Sequence, residues 1–215
     1  MKIYIGNCGN RDRQQIIIEH PRLGQLLLPN YITLKPCKCS FVYDNGAYSS
    51  YVQNKPFDEK SFLKSLKKTI EYKEYCDFAV IPDIVAGGLK SLEFSMDWFR
   101  RLPRQLKWYL PIQDGMLFEH IEKLGGFDGL FIGGTKEWKY KYAESWVKYA
   151  HNRRLKCHIG RVGTERKVLW AEHIGADSID SSNFAQNKIH WRQLMDLLAH
   201  KQENLLNLTK GGRKC

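Results

Sequence analysis

Long apolar runs are missing from this chain of 215 residues. None approaches the ~18 residues that a membrane-crossing helix needs, so such a helix is excluded. The opening residues, MKIYIGNCGNRDRQQ, lack the apolar stretch and small-residue cleavage site of a secretory leader, and a cytoplasmic location is expected. Cysteine is sparse and scattered, at Cys8, Cys37, Cys39, Cys76, Cys157 and Cys215. A chain of this size needs no disulfide staples, and reduced thiols are expected. Only Cys37 and Cys39 stand close together, with no His or Cys at a ligand spacing nearby, so no zinc site is expected on them. Internal repeats and low-complexity tracts do not stand out either. Acidic residues are in deficit: 34 Lys and Arg face 23 Asp and Glu, for a net charge of +11. That balance points to an anionic partner, nucleic acid first. The 43% of hydrophobic residues supports a packed core and excludes a disordered basic tail protein.

What the chain does contain is an alternation. Short apolar runs at 2–5, 25–28, 41–43, 78–81, 108–112, 129–132, 155–159 and 178–179 are each too short for a helix, and several are rich in β-branched and aromatic residues. Between them lie helical periods at 58–75, 91–101, 117–124, 136–152, 165–174 and 190–200. In the first of these, Phe62, Leu66 and Ile70 share one stripe, opposite Lys64, Lys67 and Lys68, with Asp58 as the N-cap. Eight strands alternating with helices predict a parallel α/β protein, a compact (β/α)₈ barrel, with a doubly wound open sheet as the second choice. One domain is expected over 1–204, followed by a basic, flexible tail over 205–215.

The residues that follow each run carry the chemistry. Run 41–43 leads into Asp44-Asn45-Gly46-Ala47-Tyr48, run 78–81 into Pro82-Asp83, and run 108–112 into Gln113-Asp114-Gly115. Run 129–132 leads into Gly133-Gly134-Thr135, run 155–159 carries His158 and leads into Gly160-Arg161, and the last leads into Asp180-Ser181. In a parallel barrel these positions converge on the C-terminal rim, where active sites of such folds lie. Singly, an Asp after a strand is a turn former or helix cap, and a Gly pair is a turn; together on one rim they form a site. Asp77 and Asp177 precede their strands and are read as structural. His158 reads equally as a site residue or as a hydrogen-bonded core histidine.

The motifs just quoted, with Glu137-Trp138-Lys139 and His158-Ile159-Gly160-Arg161-Val162, run in an order that resembles the tRNA-guanine transglycosylase superfamily. The resemblance spans roughly 1–183. It is narrowest to the compact phage and bacterial branch that inserts 7-deazaguanine bases into DNA. It implies a (β/α)₈ barrel and a glycosyltransferase that exchanges guanine in DNA for a free base of the preQ0 or preQ1 type. Carried over by position, Asp180 matches the nucleophile that attacks C1′ and Asp44 the general acid/base. Asp83, Gln113 and the Gly133/Gly134 turn match the pocket for the purine-like base, with Gln113 and backbone N–H groups donating to its O6. Breaking an N-glycosidic bond places positive charge on the sugar, which a carboxylate can trap covalently, and the leaving base needs a proton from a second acid.

Relatives that act on tRNA carry a cysteine-rich zinc site after the nucleophile, whereas here the only cysteine after Asp180 is Cys215. The implied enzyme therefore needs no zinc or other cofactor, has DNA and a free 7-deazaguanine as partners, and works in the cytoplasm, that of the host if phage-encoded. Tyr48, Tyr51, Trp138 and Tyr140 are candidates to stack on bases, or to pack loops onto the barrel. Lys136, Lys139, Lys141, Arg153, Arg154, Arg161, Arg166 and Lys167 are candidates for a phosphate track. The competing readings are a transglycosylase acting on tRNA or another RNA, a non-catalytic nucleic-acid-binding barrel, and a phosphate-binding metabolic barrel enzyme. Oligomeric state is not specified by the sequence.

Overall fold

All eight expected strands are present, and each pairs only in parallel: β1 (Lys2–Gly6), β2 (Leu23–Leu27), β3 (Phe41–Tyr43), β4 (Cys76–Val80), β5 (Trp108–Ile112), β6 (Gly129–Ile132), β7 (Lys156–Ile159) and β8 (Ser178–Ser181). The structure, a computed structural model, describes residues 1–6, 8–29 and 39–211, with 201–211 described by backbone alone. Pairing of Tyr4 with Asp180 and of Ile5 with Ser181 joins β1 to β8 and closes the barrel, which rules out the open-sheet alternative. Cys37 lies outside the described residues, while Cys39 is buried.

The helices are α1 (Arg11–Glu19), α2 (Ala47–Val52), α3 (Glu59–Glu71), α4 (Gly88–Arg101), α5 (Phe118–Ile121), α6 (Lys136–Asn152), α7 (Glu165–His173), α8 (Asn183–Gln186) and α9 (Lys188–Gly211) among the described residues. Asp58 caps α3 as expected, accepting the Ser61 N–H at 3.0 Å. Helices α1, α2 and α8 were not anticipated. In α1 the apolar residues Ile16, Ile17 and Ile18 are consecutive rather than spaced by a helical period, so the pattern carries no stripe. The other two are single turns whose sequences, AYSSYV and NFAQ, are too short to show one. Helix α9 continues to Gly211, so the backbone of 205–211 is helical where a loose tail was expected, and 212–215 lie outside the described residues.

Two apolar layers follow from the two-residue period of the strands. Residues pointing outward, among them Ile3, Phe41, Ile81, Leu110, Ile132 and Ile179, pack under the helices. Residues pointing inward, Tyr4, Leu26, Val42, Phe78, Val80 and Tyr109 with Phe131 beside them, fill the lumen. The lumen is tight: Phe78 and Tyr109 stack at 3.8 Å, and Gly129 is glycine because a Cβ there would stand 2.6 Å from the Tyr109 ring.

At the N-terminal end two aspartates are tied to partners. Asp77 accepts from Tyr4 at 2.6 Å, from Lys2 at 2.9 Å and from Ser40. Asp177 accepts from Lys156 at 2.8 Å and from the Cys157 N–H at 2.9 Å, and His151 lies 2.9 Å away. Both are held by partners at the barrel floor, as the structural reading of these two residues required.

Candidate active site

The same inward period that places Val42 in the lumen places Asp44 two residues on, at the opposite, C-terminal rim. Asp180 points inward from β8 and Gly160 follows His158 from β7. These residues surround a cavity of about 410 Å³. Of the residues expected to form a site, Asp44, Asp83, Gln113, Gly133, Gly134, Asp180, Arg161 and Tyr48 all line it.

Asp180 forms its floor and is 4% exposed. Its carboxylate is gripped from behind: Oδ1 accepts the Arg161 backbone N–H at 3.2 Å, and Oδ2 lies 2.9 Å from Nε2 of His158. Its carbonyl accepts the Val162 N–H at 2.8 Å. Arg161 sits at φ +60°, a left-handed conformation that costs a non-glycine residue of order 1 kcal/mol or more. That strained turn aims its N–H at Asp180 while its guanidinium donates to the Gly134 carbonyl and lies 4.2 Å from the centre of the Tyr48 ring.

Asp83, Gln113 and Asn45 form one wall as a single network. Asn45 Nδ2 donates to Asp83 Oδ1 at 2.8 Å and to the Ile81 carbonyl at 2.8 Å, and Gln113 Nε2 donates to Asp83 Oδ2. The other end of Gln113 is also used, its Oε1 accepting from Gly134 at 3.0 Å and from Ala86 at 3.2 Å. This corrects one expectation. The N–H groups of the diglycine do not face a ligand, since Gly133 donates to the Ile112 carbonyl at 3.0 Å and Gly134 to Gln113. Their value is steric: a Cβ on Gly133 would stand 2.7 Å from Gln113 Nε2, and one on Gly134, at φ +67°, 2.6 Å from Asp114 Oδ2. Asp114 itself is structural, its carboxylate accepting the Thr135 N–H at 2.7 Å at the start of α6.

Electrostatically the cavity is unusual. Burial, then the Asp180 charge, push the half-buried Asp44 carboxyl up to about 7, against the Gly46 N–H that donates to it at 2.7 Å. Burial pushes Asp83 up to about 6, against hydrogen bonds from Asn45 and Gln113. A carboxyl that keeps its proton near neutral pH therefore shares the cavity with the Asp180 carboxyl at its floor, an arrangement suited to acid–base chemistry.

The expected phosphate contacts separate. Arg161 lines the cavity, and so does Lys167 at the start of α7. Lys136 is exposed and does not line it. Lys139 is 5% exposed and turns inward to donate to the Gly160 carbonyl. Burial and then the Arg161 charge push its ammonium down to about 7, so it supports the floor rather than meeting a phosphate. Arg153 and Arg154 precede β7 and lie at the opposite end of the barrel, because α6 has by then run the length of the wall. Tyr140 packs on Trp170, ring centres 4.6 Å apart, and Trp138 packs on Tyr142 at 5.6 Å. Tyr48 and Tyr51 stay exposed.

Several residues of the site carried no signal that singled them out. Asn45 was part of a quoted motif, yet its bridge to Asp83 depends on β3 and β4 being neighbours. Phe131, Ser182, Asn183 and Gln186 also line the cavity. Among the described residues no group of three or more His, Cys, Asp or Glu is placed to hold a metal ion. No helix among them is long and apolar enough to cross a membrane. No protein-family model matches the chain, and no curated protein matches it either.

Proposed function

We propose that this protein is a DNA-guanine transglycosylase, which exchanges guanine in DNA for a free 7-deazaguanine base through a covalent bond between Asp180 and deoxyribose. The observation that carries the reading is the pair Asp44 and Asp180 on one cavity, the first protonated near neutrality and the second hydrogen-bonded at both oxygens by His158 and the Arg161 N–H.

In the first displacement Asp180 forms a C–O bond to C1′ while the bond from C1′ to the base nitrogen breaks, and the Asp44 proton passes to the departing guanine. In the second, the incoming base gives its ring N–H proton to Asp44, its nitrogen attacks C1′, and Asp180 leaves as a carboxylate. Two displacements give net retention. Asp83 is the acceptor for the N1–H and 2-amino groups, since each of its oxygens keeps lone-pair capacity beyond the bond from Asn45 or Gln113. The second amide hydrogen of Gln113 is the donor suited to O6. Adenine, with its reversed edge, would leave these buried groups unpaired. A base inside a duplex has to be flipped out to reach the cavity. The +11 charge and the basic side chains Arg161 and Lys167 suit a polyanion.

The decisive experiment incubates the protein with labelled guanine and either DNA or tRNA, with nucleoside mass spectrometry of the product after adding preQ0. Label and deazaguanine are expected in DNA, with no incorporation by Asp180→Asn. Incorporation into tRNA alone overturns the choice of DNA, and incorporation into neither overturns the reaction. Because Asp44 must be protonated to release guanine, the rate is expected to fall as pH rises through about 7.

A further inference from the structure

Beneath Asp180 lies a line of three hydrogen-bonding side chains running down into the barrel. Asp180 Oδ2 is 2.9 Å from His158 Nε2, and His158 Nδ1 is 2.8 Å from the Ser178 hydroxyl. His158 is fully buried. Its ring is stacked on Phe131 at 4.9 Å and met edge-on by Phe78 at 5.1 Å, with Tyr4 at 6.1 Å. The composition is that of a hydrolytic triad, but the order from the cavity inward is reversed. The carboxylate lines the cavity and Ser178, on the far side of the imidazole, does not, so Ser178 is no nucleophile.

We propose that His158 is a positioning residue, which locks Asp180 in the orientation that attacks C1′; this rests on Asp180 being the reacting carboxylate. An ionised carboxylate only accepts, so Nε2 must carry a hydrogen in either charge state of the imidazole. The Ser178 hydroxyl serves Nδ1 as donor or acceptor and pins the ring from the far side. With Oδ1 held by the Arg161 N–H, the carboxylate is fixed at both oxygens and cannot turn about its last bond without losing a hydrogen bond in a buried site. Gly160 keeps the space clear, since a Cβ there would stand 2.7 Å from Phe131 and 3.4 Å from Asp180 Oδ2. Leucine would fill the same apolar lumen without the cost of burying an imidazole. What it lacks is the N–H that aims the nucleophile.

The test compares wild type, His158→Leu and His158→Gln in single-turnover capture of a guanine-containing DNA oligonucleotide, with oligonucleotide affinity and thermal melting measured alongside. Wild-type capture together with its absence in Asp180→Asn establishes the underlying reading; wild type that captures nothing rejects that reading and this inference with it. Given capture, His158→Leu is expected to slow it by about 10²-fold, the scale of a small misplacement of a reacting group, with affinity little changed. His158→Gln, whose amide N–H reaches the Nε2 position, is expected to recover about a tenth or more of the wild-type rate, on the 10–100-fold scale of supporting-shell changes. Capture by His158→Leu at the wild-type rate, or a folded His158→Gln no faster than His158→Leu, overturns the proposal. Should His158→Leu fail to fold, ¹⁵N spectroscopy of the wild-type imidazole decides. A hydrogen on Nε2 with a chemical shift that moves in Asp180→Asn supports the proposal, and a bare Nε2 overturns it.

Discussion

The two ends of the barrel both bury carboxylates and treat them in opposite ways. At the N-terminal end burial raises Asp77 and Asp177, but hydrogen bonds to Asp77 from Ser40, Tyr4 and Lys2, and to Asp177 from Lys156, Cys157 and His151, outweigh it and hold both below the usual carboxylate range. At the C-terminal end Asp44 and Asp83 have no ion-pair partner within 4.0 Å among the described residues, only amides and backbone N–H groups, and burial holds both above that range. One end ties its acids to cationic and hydroxyl partners, and the other leaves Asp44 and Asp83 without an ion pair among the described residues. A barrel separates these two treatments because its strands all run the same way, so the residues at their starts lie at one end and those at their ends lie at the other.

The contrast can be broken most severely at the rim. Asp180→Asn is expected to abolish covalent capture and base exchange, a loss of about 10⁴-fold, while thermal melting and oligonucleotide binding stay close to wild type. Retained exchange in this variant would remove the nucleophile. At the floor the reverse is expected. Asp77→Ala strips the partners from Lys2, Tyr4 and Ser40 and should cost about 2 kcal/mol in urea denaturation, with the exchange rate per folded molecule unchanged.

The pH dependence of stability sharpens the comparison further. Asp44 and Asp83 have raised folded values, so their contribution is fully present below about 4, the ordinary carboxyl range, and is lost as pH rises through about 6 for Asp83 and about 7 for Asp44. Asp77 and Asp177 are depressed, so theirs is present above the ordinary carboxyl range and lost as pH falls below it. Urea denaturation from pH 3 to 8 is therefore expected to peak near the ordinary carboxyl range, to fall below it, and to fall above it until about 7, and Asp44→Asn to flatten only the fall above the peak. The smallest effect is on nucleic-acid binding: Lys167→Ala should reduce the salt dependence of DNA affinity by a slope of about 1, and Arg153→Ala, at the other end, should leave it unchanged.

Much of this was legible in the residues, for reasons that can be named. Strand β3 is only Phe41–Tyr43, yet it stood out because FVY is apolar and bounded by Asp44-Asn45-Gly46. Helix α6 was legible to its last residue because Tyr142, Ala143, Trp146, Val147 and Ala150 keep a helical period between the Thr135 cap and Asn152. Asp44, Asp83, Gln113 and Asp180, which line one cavity, were legible as candidates because each stands close to the C-terminal end of a strand. The roles of Gly133 and Gly134 were misjudged, because the direction of an N–H depends on the turn and not on the residue type. Arg153 and Arg154 were placed at the wrong end because a run of charge carries no mark of which end of the wall its helix has reached.

The sequence by itself determined the alternation of strands and helices and the set of polar residues on the rim, since periods and strand ends are local properties of the chain. Only the tertiary structure decided that the sheet closes, that Asn45 and Gln113 hold Asp83 between them, that His158 stands under Asp180, and that Asp44 keeps its proton near neutral pH. These depend on desolvation and on distances through space, and closure of the barrel sets both.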